Sequence, residues 1–232
     1  PAVVELGGKS AAVIMPDADL DKVVNSAKGA IFGQAGQICS AMSRVIAHKS
    51  VKNELVDKLS NLANSLKVGH GSEDGTDLTP VISEEQLQKI ENYSRSGQQA
   101  GANAVAGGKR VDRKGYFFEA TVFDNVQPEM TIAQEEIFGP VLSVLEYSDE
   151  EEAVSIANNT EFGLAAGVFT NDVNKATSMA SQLNGGQVYV NSWFTGSVAT
   201  PFGGYKQSGY SREKGQEAIK SYLQLKNIGI QL

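Results

Sequence analysis

Cysteine is nearly absent: the 232-residue chain holds one, Cys39. A lone thiol excludes an internal disulfide, and with only two scattered histidines no zinc-ligand spacing exists. Basic charge is in deficit. Lys and Arg total 20 against 27 Asp and Glu, for a formal net charge of −7 and a pI of about 5.0. That balance argues against a nucleic-acid or anionic-membrane surface. No apolar run is long enough to span a bilayer, and no signal peptide is recognisable. No Gly-x-Gly-x-x-Gly follows a strand-like run. Gly7-Gly8-Lys9-Ser10 ends like a phosphate loop, but that loop needs glycine at position 3, which is Val3. Asn92-Tyr93-Ser94 and Asn158-Asn159-Thr160 read as chance glycosylation matches, because a free thiol points to a reducing, cytoplasmic compartment. The chain starts on Pro1, directly in a strand-like run, and reads as a fragment or trimmed chain.

What is present is a steady alternation of apolar runs and amphipathic segments, with 41% hydrophobic residues to build a core. Strand-like runs cover residues 2–6, 11–15, 43–48, 103–107, 116–123, 141–147, 164–170 and 187–191. Between them, Asp19, Ser50, Ser83, Ser148 and Asn171 are placed to cap helices. Residues 131–140 and 203–209 read as loops, 212–221 as a helix, and 223–232 as β-like. The pattern predicts an α/β fold with a mostly parallel sheet flanked by helices. His70, between two glycines, reads as a solvated loop residue.

The segment Phe32-Gly33-Gln34-Ala35-Gly36-Gln37-Ile38-Cys39-Ser40 places the single thiol among glycines and polar residues. A nucleophilic cysteine needs partial exposure, nearby N–H donors and room for a substrate carbon. Three further segments stand out: Val4-Glu5-Leu6-Gly7-Gly8-Lys9-Ser10, Glu135-Glu136-Ile137-Phe138-Gly139-Pro140-Val141 and Pro201-Phe202-Gly203-Gly204-Tyr205-Lys206-Gln207-Ser208-Gly209. In this order, and with Glu5 34 residues before Cys39, the four resemble the motifs of aldehyde dehydrogenases. The resemblance covers essentially the whole chain but only the second half of a family member.

The resemblance implies oxidation of an aldehyde to a carboxylic acid with NAD or NADP as cofactor. Cys39 would be the nucleophile, its backbone N–H an oxyanion donor, and Glu5 the base that activates the hydrolytic water. Glu136 and Phe138 would clamp the nicotinamide side of the cofactor. Gln86 and Lys89 would reach its ribose, or else be exposed helix polar residues. Trp193 and Phe194 would shape the aldehyde entrance or serve as core aromatics, and Phe202 would lie near the substrate funnel. Residues 1–221 would form the catalytic domain, with 1–10 closing a cofactor domain that lies upstream. Residues 222–232 would add a C-terminal oligomerisation strand for a homodimer or homotetramer. The segment 1–232 by itself is expected to fold without binding NAD or oxidising aldehydes. Three alternatives stay open: a coenzyme A-acylating semialdehyde dehydrogenase, which would not need Glu5; a cysteine hydrolase pairing Cys39 with His48; and a noncatalytic assembly or binding domain.

Overall fold

The computed structural model describes residues 2–232. In chain order the elements are β1 (Val4–Glu5), β2 (Ala11–Ile14), α1 (Leu20–Ala27), β3 (Arg44–His48), α2 (Lys52–Ser65), α3 (Glu84–Gln99), β4 (Asn103–Ala106) and β5 (Thr121–Asp124). There follow α4 (Thr131–Gln134), β6 (Val141–Tyr147), α5 (Glu150–Asn158), β7 (Phe162–Gly163), β8 (Ala165–Phe169), α6 (Val173–Gln182), β9 (Gln187–Val190), β10 (Tyr205–Lys206) and β11 (Gly209–Tyr210).

Seven strands form the central sheet in the order β4-β5-β6-β3-β2-β8-β9. All neighbours are parallel except β4 and β5. The inner strands are buried on both faces, so their sequences are unbroken apolar runs rather than alternating ones. Across the middle, Val13 faces Ile46 on one side and Val168 on the other, and Ile46 faces Leu145. All four side chains are buried in one continuous core. Each contributes about 1.5–3 kcal/mol relative to exposure. Helix α2 packs on β3, β4 and β5, α5 on β2, β3 and β6, and α6 on β8 and β9.

Asp19 and Ser83 cap their helices as the sequence predicts, each side chain accepting from backbone N–H groups of the first turn. Elsewhere a neighbour takes the role. Ser50 hydrogen-bonds His48 Nδ1 at 2.7 Å, and α2 starts after Val51 without a side-chain cap. Asp149 rather than Ser148 caps α5, and Asp172 rather than Asn171 caps α6, because the Asn171 amide donates to the Asp17 carbonyl.

The expected strand 116–123 shortens to β5, and the loop 131–140 contains the single turn α4. The expected loop 203–209 holds two short strands. β11 pairs with β1 and β10 with β7, so the chain's late segment is laced both to Val4–Glu5 and to Phe162–Gly163. The helix expected over 212–221 is a 3₁₀ segment, Gln216–Tyr222. The strand expected at 223–232 does not form. The run is exposed, and no strand among the described residues offers it a ladder of hydrogen bonds. No helix among the described residues is long and apolar enough to cross a membrane.

Candidate active site

Three loops meet at Cys39, and each runs into the amino end of a parallel strand. Glu5–Gly8 leads to β2, Cys39 itself to β3, and Glu136–Phe138 to β6. After α1 the chain tightens through a π-helical turn, Lys28–Phe32, into a 3₁₀ turn, Gly33–Gly36. Within that turn Gln34 and Ala35 hold left-handed φ values of 50° and 53°, which L-residues adopt only where surrounding structure imposes them. Gly36 (φ 70°) follows, and a Cβ there would collide with the Gly139 carbonyl. Gly8 is equally constrained, because a Cβ would strike the Cys39 carbonyl. The two glycines therefore let the three loops touch.

Cys39 is half-buried. Among the described residues neither its N–H nor that of Ser40 donates to a protein acceptor. Burial raises the thiol pKa, and the charges of Glu136 and Glu5 add to that, while the N–H groups of Ser40 and Cys39 pull it down. A side-chain bond of long sequence range holds the loop from behind: Trp193 Nε1 donates to the Ser40 carbonyl at 2.9 Å. Trp193 is buried, so it braces the nucleophile loop from the core and does not shape an entrance. Of the two neighbours, it is Phe194, φ 57° and exposed, that lines the pocket.

A cavity of about 630 Å³ opens beside Cys39. Gln187 and Tyr189, two residues apart on β9 and so on one face of it, line one wall, with Phe194, Phe202 and Lys214 around the rim.

Glu5 sits in β1, held by the pairing Glu5↔Gly209. Both its carboxylate oxygens are buried and lack hydrogen-bond partners among the described residues, and the Gly203 backbone lies against one of them. Burial raises its pKa. Glu213 raises it further, and Arg212 partly opposes the shift.

Glu136 Oε1 accepts from Gly8 N–H at 3.0 Å, and its carboxylate lies against Gly7. Phe138 is half-buried with φ 58°, a left-handed conformation on a non-glycine residue. Gln86, expected to reach a ribose, turns its amide inward instead. Its Nε2 donates to the carbonyls of Ile137 at 3.0 Å and Phe138 at 2.8 Å, fixing the clamp loop to α3. Lys89 lies 5.9 Å from the Tyr93 ring centre in an open groove of about 520 Å³, beside Glu135, which accepts from Tyr93 Oη.

Two cations were missed by sequence reasoning. Lys9 and Arg44 are fully buried. Arg44 donates to the carbonyls of Lys9, Ile156 and Ala157. Lys9 Nζ has no hydrogen-bond partner among the described residues, and burial followed by the Arg44 charge lowers its pKa to about 7. His48 ends β3, roughly 13 Å of strand rise from Arg44, and is occupied by Ser50 and the Tyr147 ring. That geometry removes the Cys39–His48 pairing.

The family model of the aldehyde dehydrogenase family matches residues 1–228. The chain belongs to the aldehyde dehydrogenase family. It is 43% identical over 228 residues to the mitochondrial benzaldehyde dehydrogenase of Antirrhinum majus, covering 98% of this chain and 43% of that protein. It is 41% identical over 233 residues to the betaine aldehyde dehydrogenase of Brucella melitensis, covering 98% of this chain and 48% of that protein. Among solved structures, the NAD+ complex of the Bacillus cereus aldehyde dehydrogenase superposes with a TM-score of 0.92 at 44% identity, over 95% of this chain and 45% of that one. The chain thus spans about half the length of the relatives it matches. The α/β fold and mostly parallel sheet expected from the sequence are those of this family.

Proposed function

We propose that this chain is the catalytic half of an NAD(P)-dependent aldehyde dehydrogenase of the hydrolytic type. The observation that carries the reading is the thiol of Cys39, set at a 630 Å³ cavity with two free N–H groups beside it and an unbonded buried carboxylate, Glu5, within electrostatic range.

Cys39 Sγ attacks the aldehyde carbon as its thiolate, and the carbonyl oxygen becomes an oxyanion. The N–H groups of Cys39 and Ser40 are free to receive that charge. Once the hydride has left, Cys39 holds the acyl group as a thioester. Glu5, its pKa raised by burial, takes a proton from water as the water attacks. The acid is released, and the sulfur leaves as thiolate.

The residues present fit the nicotinamide-ribose end of a dinucleotide. Glu136 keeps a carboxylate oxygen, Oε2, free of hydrogen bonds to accept from ribose hydroxyls, and the half-buried Phe138, two residues on, would line the nicotinamide side. When bound, the cofactor supplies the hydride acceptor. Gln86 serves this site by positioning the Glu136–Phe138 loop, and Lys89 faces the neighbouring groove. The exposed apolar run 223–232 supports a homo-oligomer in which a second subunit covers it.

The test is cofactor reduction by the full protein with an aldehyde, with and without coenzyme A. Reduction independent of coenzyme A, abolished by Cys39→Ser, is expected. Strict dependence on coenzyme A, or more than a tenth of wild-type kcat in Cys39→Ser, would overturn the reading.

A further inference from the structure

The cavity beside Cys39 carries one cationic side chain that the reaction above does not use. Among the described residues, Lys214 is the only charged one lining it. Cys39 adds no negative charge at rest, because burial holds the thiol protonated. Among the described residues the Lys214 ammonium makes neither an ion pair nor a hydrogen bond. It lies 5.2 Å from the centre of the Phe202 ring, which turns it towards the rim of the cavity.

The backbone around it is fixed on both sides. Glu213 and Phe202 exchange two backbone hydrogen bonds of 2.7 Å, and Gly215 N–H donates to the Val198 carbonyl at 2.9 Å. Phe202 and Val198 are themselves lining residues. Lys214 is held between these anchors at φ 59°, a left-handed conformation that costs a lysine free energy and that Asn or Gly would adopt more easily. The rest of the rim is neutral, with hydroxyls from Thr195, Ser197 and Thr200.

We propose that Lys214 is a specificity-determining residue that favours aldehydes bearing an anionic group, such as a carboxylate, over neutral and cationic ones. This deepens the proposed aldehyde oxidation and rests on it. The physical basis is simple. An unpaired ammonium at the rim of a half-enclosed cavity lowers the energy of an anion there, and no carboxylate lines the cavity to cancel it.

Two experiments test the idea, one of them independent of catalysis. In the first, Cys39 is alkylated with iodoacetate and with iodoacetamide at low ionic strength, and the modified peptide is quantified. Lys214→Asn suits the left-handed backbone, so the loop should keep its shape. The iodoacetate-to-iodoacetamide rate ratio should fall roughly threefold in Lys214→Asn, the scale of a partly exposed charge pair. It should fall further in Lys214→Glu and hold in Lys214→Arg. Repulsion of iodoacetate by Glu5 and Glu136 is common to all variants and cancels. Added salt should erase the difference between variants.

In the second, kcat/KM is measured for 4-oxobutanoate, butanal and trimethylammonioacetaldehyde. The anionic-over-neutral ratio should drop in Lys214→Asn, and the cationic substrate should gain in Lys214→Glu. An alkylation ratio equal in wild type, Lys214→Asn and Lys214→Glu would overturn the proposal. If wild type oxidised no aldehyde while the alkylation ratio still tracked the charge at 214, the aldehyde reading would fall and the anion preference would stand. If Lys214→Asn lost iodoacetamide reactivity too, the loop would be disturbed, and Lys214→Arg against Lys214→Glu would decide.

Discussion

Two carboxylates and a thiol share one small volume, and their charges act on one another. Glu5 and Glu136 both push the Cys39 pKa up beyond what burial does. Replacing Glu5 by Gln removes one of those negative charges, so the thiol pKa should fall. At any pH below the thiol pKa, more thiolate is then present, and alkylation by neutral iodoacetamide should speed up. Thioester hydrolysis should slow in the same variant, because no carboxylate remains to take the water proton. A burst of reduced cofactor should therefore precede slow turnover. An unchanged steady-state rate would remove Glu5 as the base, and loss of the burst would move its role to activation of the thiol. Cys39 and Glu5 were legible in the sequence because each lies in a compact local motif and the chain has no second cysteine to compete. Lys9 and Lys214 were not. A lysine's burial or its freedom from partners depends on what folds over it, and no local pattern records that.

At the scale of elements, the parallel strands were easy to read and the supports of the site were not. β2, β3, β6 and β8 announce themselves as apolar runs because both faces are buried. The bond from Trp193 to Ser40 spans 153 positions, and that from Gln86 to Phe138 spans 52. Neither leaves a local signature, so the sequence offers for Gln86 only helix polarity and for Trp193 only aromaticity. The Trp193 bond makes a sharp prediction. Trp193→Phe keeps most of the buried ring but leaves the Ser40 carbonyl without its donor. Stability in denaturant should fall by about 1 kcal/mol, the usual net worth of one such bond. Cys39 should alkylate faster as its loop loosens. A variant as stable as wild type, with unaltered thiol reactivity, would show that the Ser40 carbonyl is satisfied without Trp193. The short pairs β1–β11 and β7–β10 were missed for a different reason. Two-residue strands have no periodicity, and they exist because the chain's late loop returns to Val4–Glu5 through β11 and to Phe162–Gly163 through β10.

At the scale of the whole molecule, the core is continuous and the tail is not part of it. The cluster of buried side chains runs through every strand of the main sheet, whereas Leu223, Leu225, Ile228, Ile230 and Leu232 are 63–116% exposed. Exposure that complete, along one continuous run, is costly in water and offers unpaired N–H and C=O groups to any available edge. The β-like composition of 223–232 was legible, but a strand is a property of a pair, and the described residues supply only one member. A second copy that lends a sheet edge would satisfy both the apolar side chains and the backbone. Deleting residues 223–232 from the full protein should therefore lower the oligomer mass in light scattering, while the fold of 2–222 persists by circular dichroism, since none of the removed residues belongs to the core. An oligomer mass unchanged by the deletion would mean that the tail's apolar face is covered by something other than a second subunit's edge.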